Sequence, residues 1–145
     1  MTHKDAGHYA AKHPRDTKLD SRIAEMVKQK ISNGKITCAA AHKIGSELNV
    51  SPIEVGVVVD LLEARISECQ LGLYGYGHQR KIVKAAENVS PQLKKAIEKS
   101  LVNNHLSCFS SWEIAKRFGV SKMNVCAACE TLKIKISSCQ LGSFR

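Results

Sequence analysis

The sequence is poor in aromatic residues, with one Trp, three Tyr and three Phe among 145 positions. At 5% aromatic and 43% hydrophobic, its core must be built mostly from aliphatic side chains. It also lacks any apolar run near the roughly 20 residues that span a bilayer. Its first residues, MTHKDAGHYAAKHPRD, lack the apolar centre of a signal peptide. A cytoplasmic protein without a membrane segment is therefore expected. Catalytic signals are missing as well. There is no nucleophile–base set, no paired-carboxylate pattern and no phosphate-binding glycine loop, since Gly72 to Gly77 fits neither a P-loop nor a dinucleotide pattern. The expectation is a protein that is not an enzyme and carries no cofactor.

What the chain does have is positive charge. Twenty-two Lys and Arg face 13 Asp and Glu, a formal net charge of +9. Such a balance favours a polyanionic partner, most often nucleic acid.

It also has an internal repeat. ISECQLG begins at Ile66 and ISSCQLG at Ile136, an offset of 70. The register extends without a gap. Cys38 falls on Cys108, Ile44 on Ile114, Val55 on Val125 and Leu62 on Leu132, while Ile23, Val27 and Ile31 fall on Leu93, Ile97 and Leu101. A period of 70 exceeds the roughly 20–50 residues of a solenoid unit, so two copies of one small domain are expected.

Each copy has the same grammar. A first helix has apolar residues at helical spacing, and Gly34 or Asn104 follows as a left-handed stop. A second helix is capped by Thr37 or Ser107. A tight link, Asn49-Val50-Ser51 or Gly119-Val120-Ser121, leads to a third helix from about Pro52 to Leu62 or Lys122 to Leu132, the Val of the link plugging the core. Ser51 and Glu54 have capping-box spacing. A strand, ARISECQL or IKISSCQL, comes next, and residues 78–85 return as a second strand in the first copy. The second copy ends at Arg145, so its wing is expected to be truncated.

EIAKRFGVSKMNVCAACETL, and less typically KIGSELNVSPIEVGVVVDLL, resembles the helix-turn-helix of bacterial and archaeal transcription regulators. The plan of three helices and a β-wing is similar to the winged-helix domain of molybdate-type regulators. The resemblance covers about residues 18–145. It implies a mainly α fold with small β: two tandem winged-helix domains, at 18–86 and 87–145, behind a flexible tail at 1–17.

The two third helices differ in chemistry. A reading helix needs cationic or amide groups on its outer face. Helix 52–62 carries Glu54 and Asp60 and no Lys or Arg, and its expected outward positions are Ile53, Glu54, Gly56, Val57 and Asp60. Ile53 and Val57 suggest a protein contact or homodimer through the first domain. Helix 122–132 opens with Ser121, Lys122 and Asn124, with Lys116 and Arg117 just before it. These are candidate contacts to double-stranded DNA; the alternative is a solvated face. Arg80, Lys81 and Lys84 add charge on the expected first wing. The function expected is a DNA-binding transcription regulator reading through helix 122–132. A protein-interaction adaptor and a cysteine-based redox or metal sensor are the alternatives.

The cysteines stay open between two readings. Cys108, Cys126, Cys129 and Cys139 supply enough thiols for a metal or iron–sulfur site. Cys126 and Cys129 also have the spacing of one buried helix face, where Cys behaves as a small apolar residue. His3, His8 and His13 are spaced five apart in the tail, where weak metal binding competes with simple disorder. Strand parity sets Cys69 and Leu71 opposite Ile66, and Cys139 and Leu141 opposite Ile136. Either a bulge turns CQLG inward, or these residues cover a second surface through which copies or subunits pack.

Overall fold

A computed structural model describes residues 8–145. Within it the chain is mainly helical with four short strands. The order is α1 (Ser21–Lys30), β1 (Lys35–Thr37), α2 (Cys38–Leu48), α3 (Pro52–Leu61) and β2 (Arg65–Ser67), then α4 (Pro91–Lys99), β3 (His105–Ser107), α5 (Cys108–Phe118), α6 (Lys122–Leu132) and β4 (Lys135–Ser137). Each element of the first set therefore has a counterpart 70 residues on. No helix among the described residues is long and apolar enough to cross a membrane.

The chain divides into two compact units, and the division does not follow the repeat. Unit 1 holds the residues up to Cys69 together with Gln140–Phe144; unit 2 holds Gln70–Cys139 and Arg145. The expected domain boundaries, 18–86 and 87–145, follow the repeat and differ from this division. The last residues of the second repeat complete the first unit, and the segment after the first repeat belongs to the second.

In unit 1, Asp20 starts α1 by accepting from the N–H groups of Arg22 and Ile23 at 3.0 and 3.1 Å. The helix buries Ile23, Ala24 and Val27. It stops at Lys30, before Gly34. The expected stop is instead the second corner of a two-residue turn, with Asn33 at φ 54° and Gly34 at φ 74°. Ser32 and Lys35 exchange both backbone hydrogen bonds across it. Asn-Gly is the pair that a turn with two left-handed residues demands. Asn103 and Asn104 repeat that turn in unit 2, at φ 51° and 61°.

The turn delivers β1 alongside β2. The two pair in parallel, with Ile36 opposite Ile66, and α2 and α3 form the crossover that parallel strands require. Thr37 Oγ1 caps α2 by accepting from Ala40 N–H at 3.1 Å. Asn49 ends α2 at φ 55°. The strand is shorter than expected. Glu68, at φ 48°, breaks it after Ser67, and Ser138, at φ 54°, breaks β4 in the same way. A left-handed residue rather than a bulge therefore resolves the parity of CQLG. Cys69 is buried, and so are Leu71 and Leu141.

Apart from Glu54 and Asp60, α3 is apolar, and it is covered on more than one side. Val55, Val58 and Val59 are buried, as core residues should be. Gly56, expected to face outward, is buried too. A methyl group added there would overlap the Leu141 carbonyl oxygen. Residues 9–13 of the expected flexible tail pack against α3 and the turn after it, and residues 1–7 lie outside the described residues. Tyr9–Lys12 forms a 3-10 turn whose Tyr9 is 2% exposed. The backbone N–H groups of Tyr9 and Ala10 donate to the Glu63 carboxylate at 2.9 and 2.8 Å. Lys12 Nζ lies 3.1 Å from Asp60 Oδ2, and His13 Nε2 lies 2.8 Å from the same oxygen.

Unit 2 repeats the plan. Ser90 Oγ caps α4 by accepting from Leu93 N–H at 3.2 Å, and Ser107 Oγ caps α5 through Ser110 N–H at 3.0 Å. Leu106 and Ile136 face each other in the parallel β3–β4 pair. The core gathers Ile97, Leu106, Ile114, Val125, Ala128 and Cys129. Val120, expected to plug it, is 37% exposed.

Residues 78–85 do not form the expected wing strand. A short 3-10 turn covers Gly77–Gln79, and irregular backbone follows. The N–H groups of Ile82 and Val83 both donate to the Gly72 carbonyl, at 2.9 and 3.1 Å, so they are unavailable to a β2 ladder. Val83 is buried, and the segment continues along α6 through Ala86 N–H to the Ala127 carbonyl at 3.1 Å. The hydroxyl of Thr131 donates back to the Ala86 carbonyl at 2.6 Å.

Candidate nucleic-acid interface

The start of α6 is set by its cap. Ser121 Oγ accepts from Asn124 N–H at 3.0 Å, which leaves the Asn124 side chain exposed on the first turn. Gly119, at φ 65°, supplies the left-handed end of α5 just before it. Lys116 and Arg117 lie exposed in the last turn of α5. An open groove of about 740 Å³ brings Lys116, Ser121, Lys122 and Asn124 together with Trp112, Gln70 and Tyr76. Five expected DNA contacts thus lie close by one another, since Arg117 is the neighbour of Lys116.

Lys122 is not a free surface cation. Its Nζ sits 4.3 Å from the centroid of the Trp112 ring, within cation–π range. Arg117 lies more loosely over Phe118, at 5.6 Å. Trp112, Tyr76 and Gln70 were not legible as site residues. Trp112 and Lys122 are ten apart and meet only because the α5–α6 turn folds one helix back onto the other. In unit 1 the matched positions are His42 and Pro52, which cannot make such a pair.

The remaining basic candidates belong to unit 2 rather than to a wing of the first domain. Lys81 is bound to Glu130, Nζ to Oε1, at 2.6 Å. Arg80 and Lys84 are exposed.

The two units differ in charge far more than in architecture. Unit 2 holds twelve Lys and Arg against four Asp and Glu, a balance of +8. Unit 1 holds ten against nine, a balance of +1. At the start of α3, Glu54 occupies the place that Asn124 takes on α6. Its carboxylate accepts from the backbone N–H and the hydroxyl of Ser51, at 2.7 and 2.9 Å. Those two bonds hold the Glu54 carboxyl below the usual carboxylate range. The first turn of α3 is therefore already satisfied by an anion of the chain itself.

The candidate interface residues separate. Ile53 is 50% exposed, Val57 and Cys139 are half-buried, and Cys69, Leu71 and Leu141 are buried. Two segments of this same chain lie against α3 or the residues just after it, residues 9–13 and Gln140–Phe144.

All six cysteines are free thiols. Among the described residues, no three of His, Cys, Asp and Glu are gathered as a metal-holding group, so Cys108, Cys126, Cys129 and Cys139 are not brought together as one. Cys126 and Cys129 are both buried on α6. Burial, and secondarily the Glu130 charge, pushes the Cys129 thiol from 9.0 up to about 11. His3 lies outside the described residues; His8 is exposed, and His13 is engaged by Asp60.

No family model matches the chain, and neither a curated protein nor a solved structure matches it.

Proposed function

We propose that this chain is a DNA-binding protein, a transcription regulator of the helix-turn-helix kind, whose α6 enters duplex DNA. One observation carries the reading. The same helix occurs twice, and only the second copy presents Lys116, Lys122 and Asn124 around an uncovered first turn, in a unit of balance +8. The first turn of α6 carries no carboxylate, with Glu113 of α5 the one acidic residue lining the groove, whereas the first turn of α3 carries Glu54. Ser121 and Lys116 reach backbone, and Asn124 has the paired donor and acceptor that match an adenine edge. Trp112 holds the Lys122 ammonium at the mouth of the groove. Arg80 and Lys84 extend the basic surface in place of a β-wing. Unit 1 serves assembly rather than reading.

Fluorescence anisotropy with mixed genomic duplex fragments across a salt series tests this. Binding through about four phosphates gives a log–log salt slope of roughly −3.6, each contact contributing about −0.9. Lys122→Ala/Asn124→Ala should weaken binding at every salt concentration. Unchanged binding by that variant would rule out α6 as the reader.

A further inference from the structure

Unit 1 is completed by five residues that belong to the other repeat. Gln140–Phe144 is joined to the rest of unit 1 only through the whole of unit 2. Its seat on α3 is built for it. Gly56 leaves the space that the Leu141 backbone fills, and any side chain there would overlap the Leu141 carbonyl. Leu141 is 2% exposed. A methyl added at Gly142 would come 2.8 Å from Ile53 Cδ1, so this glycine too is seated closely. Lys12 Nζ, anchored by Asp60, donates to the Gly142 carbonyl at 3.0 Å and closes the seat from the other side. The segment leaves unit 2 just after Ser138, a non-glycine residue at φ 54°. A non-glycine residue in the left-handed region is a strained backbone position.

We propose that the Gly56 seat of α3 also takes the Gln140–Phe144 segment of a second copy of this chain, so that two chains exchange C-terminal segments into a dimer. The seat contacts named above, at Gly56, Ile53 and Lys12, are all made to the segment itself, so they are kept when the segment arrives from another chain. Exchange of an identical element is a low-cost route to a dimer. The inference does not rest on DNA binding.

The test uses the full chain. Wild-type protein is unfolded, refolded at high concentration, diluted, and sized by light scattering. A species of twice the 15.9 kDa chain mass that persists for hours after dilution is expected, because reversal requires the segment to leave its seat. Two variants then identify the surface. Gly56→Leu fills the seat, and Leu141→Asp spoils the segment. Neither should dimerise alone. Mixed and co-refolded, they should form a one-to-one heterodimer, the intact segment of the first chain filling the intact seat of the second. A wild-type chain that stays monomeric overturns the proposal, and so does a dimer that dissociates at once on dilution. A dimer that survives both substitutions singly assigns the contact to another surface and also overturns it. The wild-type arm stands even if one variant fails to fold.

Discussion

α3 and α6 are one helix written twice, and they teach how the same scaffold takes two roles. Both follow a left-handed turn, both begin at a capping Ser, and both bury residues at matched positions: Val55 and Val125, Val58 and Ala128, Val59 and Cys129. What differs lies at the ends and on the remaining faces. α3 starts on Glu54, carries Gly56 under Leu141 and ends near Asp60, which is taken by Lys12 and His13. α6 starts on Lys122 and Asn124, has Cys126 where Gly56 stands, and carries Glu130 bound to Lys81. A shared core thus fixes the fold, while a few uncommitted positions decide whether a helix is covered or presented.

Substitutions can sharpen or break this contrast. The largest effect is expected at the matched pair Gly56 and Cys126. Gly56→Leu should cost about 3 kcal/mol, because the added side chain overlaps backbone and not a mobile side-chain tip. Cys126→Ala should cost only about 1 kcal/mol, since one sulfur is removed from a packed site. Urea unfolding of the two variants measures both, and equal costs would remove the distinction between the helices.

The acidic pair comes next. Asp60→Asn should cost about 2 kcal/mol and expose residues 8–17 to limited proteolysis, because the part-buried Lys12 and His13 lose their shared carboxylate. Glu130→Gln breaks a single, more exposed pair and should cost less than about 1 kcal/mol. Resistance of residues 8–17 to protease in Asp60→Asn would show that Tyr9 and the Glu63 bonds hold the segment without Asp60.

Charge removal should separate the units in binding rather than in stability. Lys116→Ala should reduce the magnitude of the salt slope by about 0.9. Lys43→Ala, on α2 in unit 1, should leave it unchanged, its ammonium lying 3.9 Å from Glu47. Equal effects would mean that both units touch DNA.

The smallest effect is alkaline. Cys129 is neutral when folded, and its folded value of about 11 exceeds the ordinary 9.0. A group raised on folding gives its full stabilisation below pH 9, and the contribution is lost as pH rises towards 11, where the unfolded thiol has already released its proton. Cys129→Val installs the residue that unit 1 has at position 59 and should remove that alkaline loss. An unchanged pH profile in this variant would assign the loss to other groups.

Much of the fold was legible. The 70-residue register, the caps Thr37 and Ser107, and the spacing of Ile23 with Val27 located the helices to within a residue or two, because local hydrogen bonding and one-sided burial leave direct traces in sequence. Lys122 and Asn124 were legible for the same reason, as polar residues at a capped helix start. The turn at Asn33-Gly34 was misassigned because a glycine after a helix signals either a helix stop or a tight turn. The wing failed at Ile82 and Val83, whose alternating pattern fits a strand equally well, until Gly72 takes both N–H groups. Trp112 was missed because its partner Lys122 is distant in sequence and close only across a turn.

The sequence by itself determined that there are two copies of one helical plan, where their helices begin, and that positive charge concentrates in the second. These are properties of neighbouring residues and of counts. Only the tertiary structure decided that Gln140–Phe144 closes the first unit, that residues 9–13 pack against α3, and that Trp112 carries Lys122. Each of those depends on which segments meet at long range, and identical strings such as CQLG contain no record of which copy of a helix they will pack against. That choice is made by the space at Gly56 and by the charges waiting beside it.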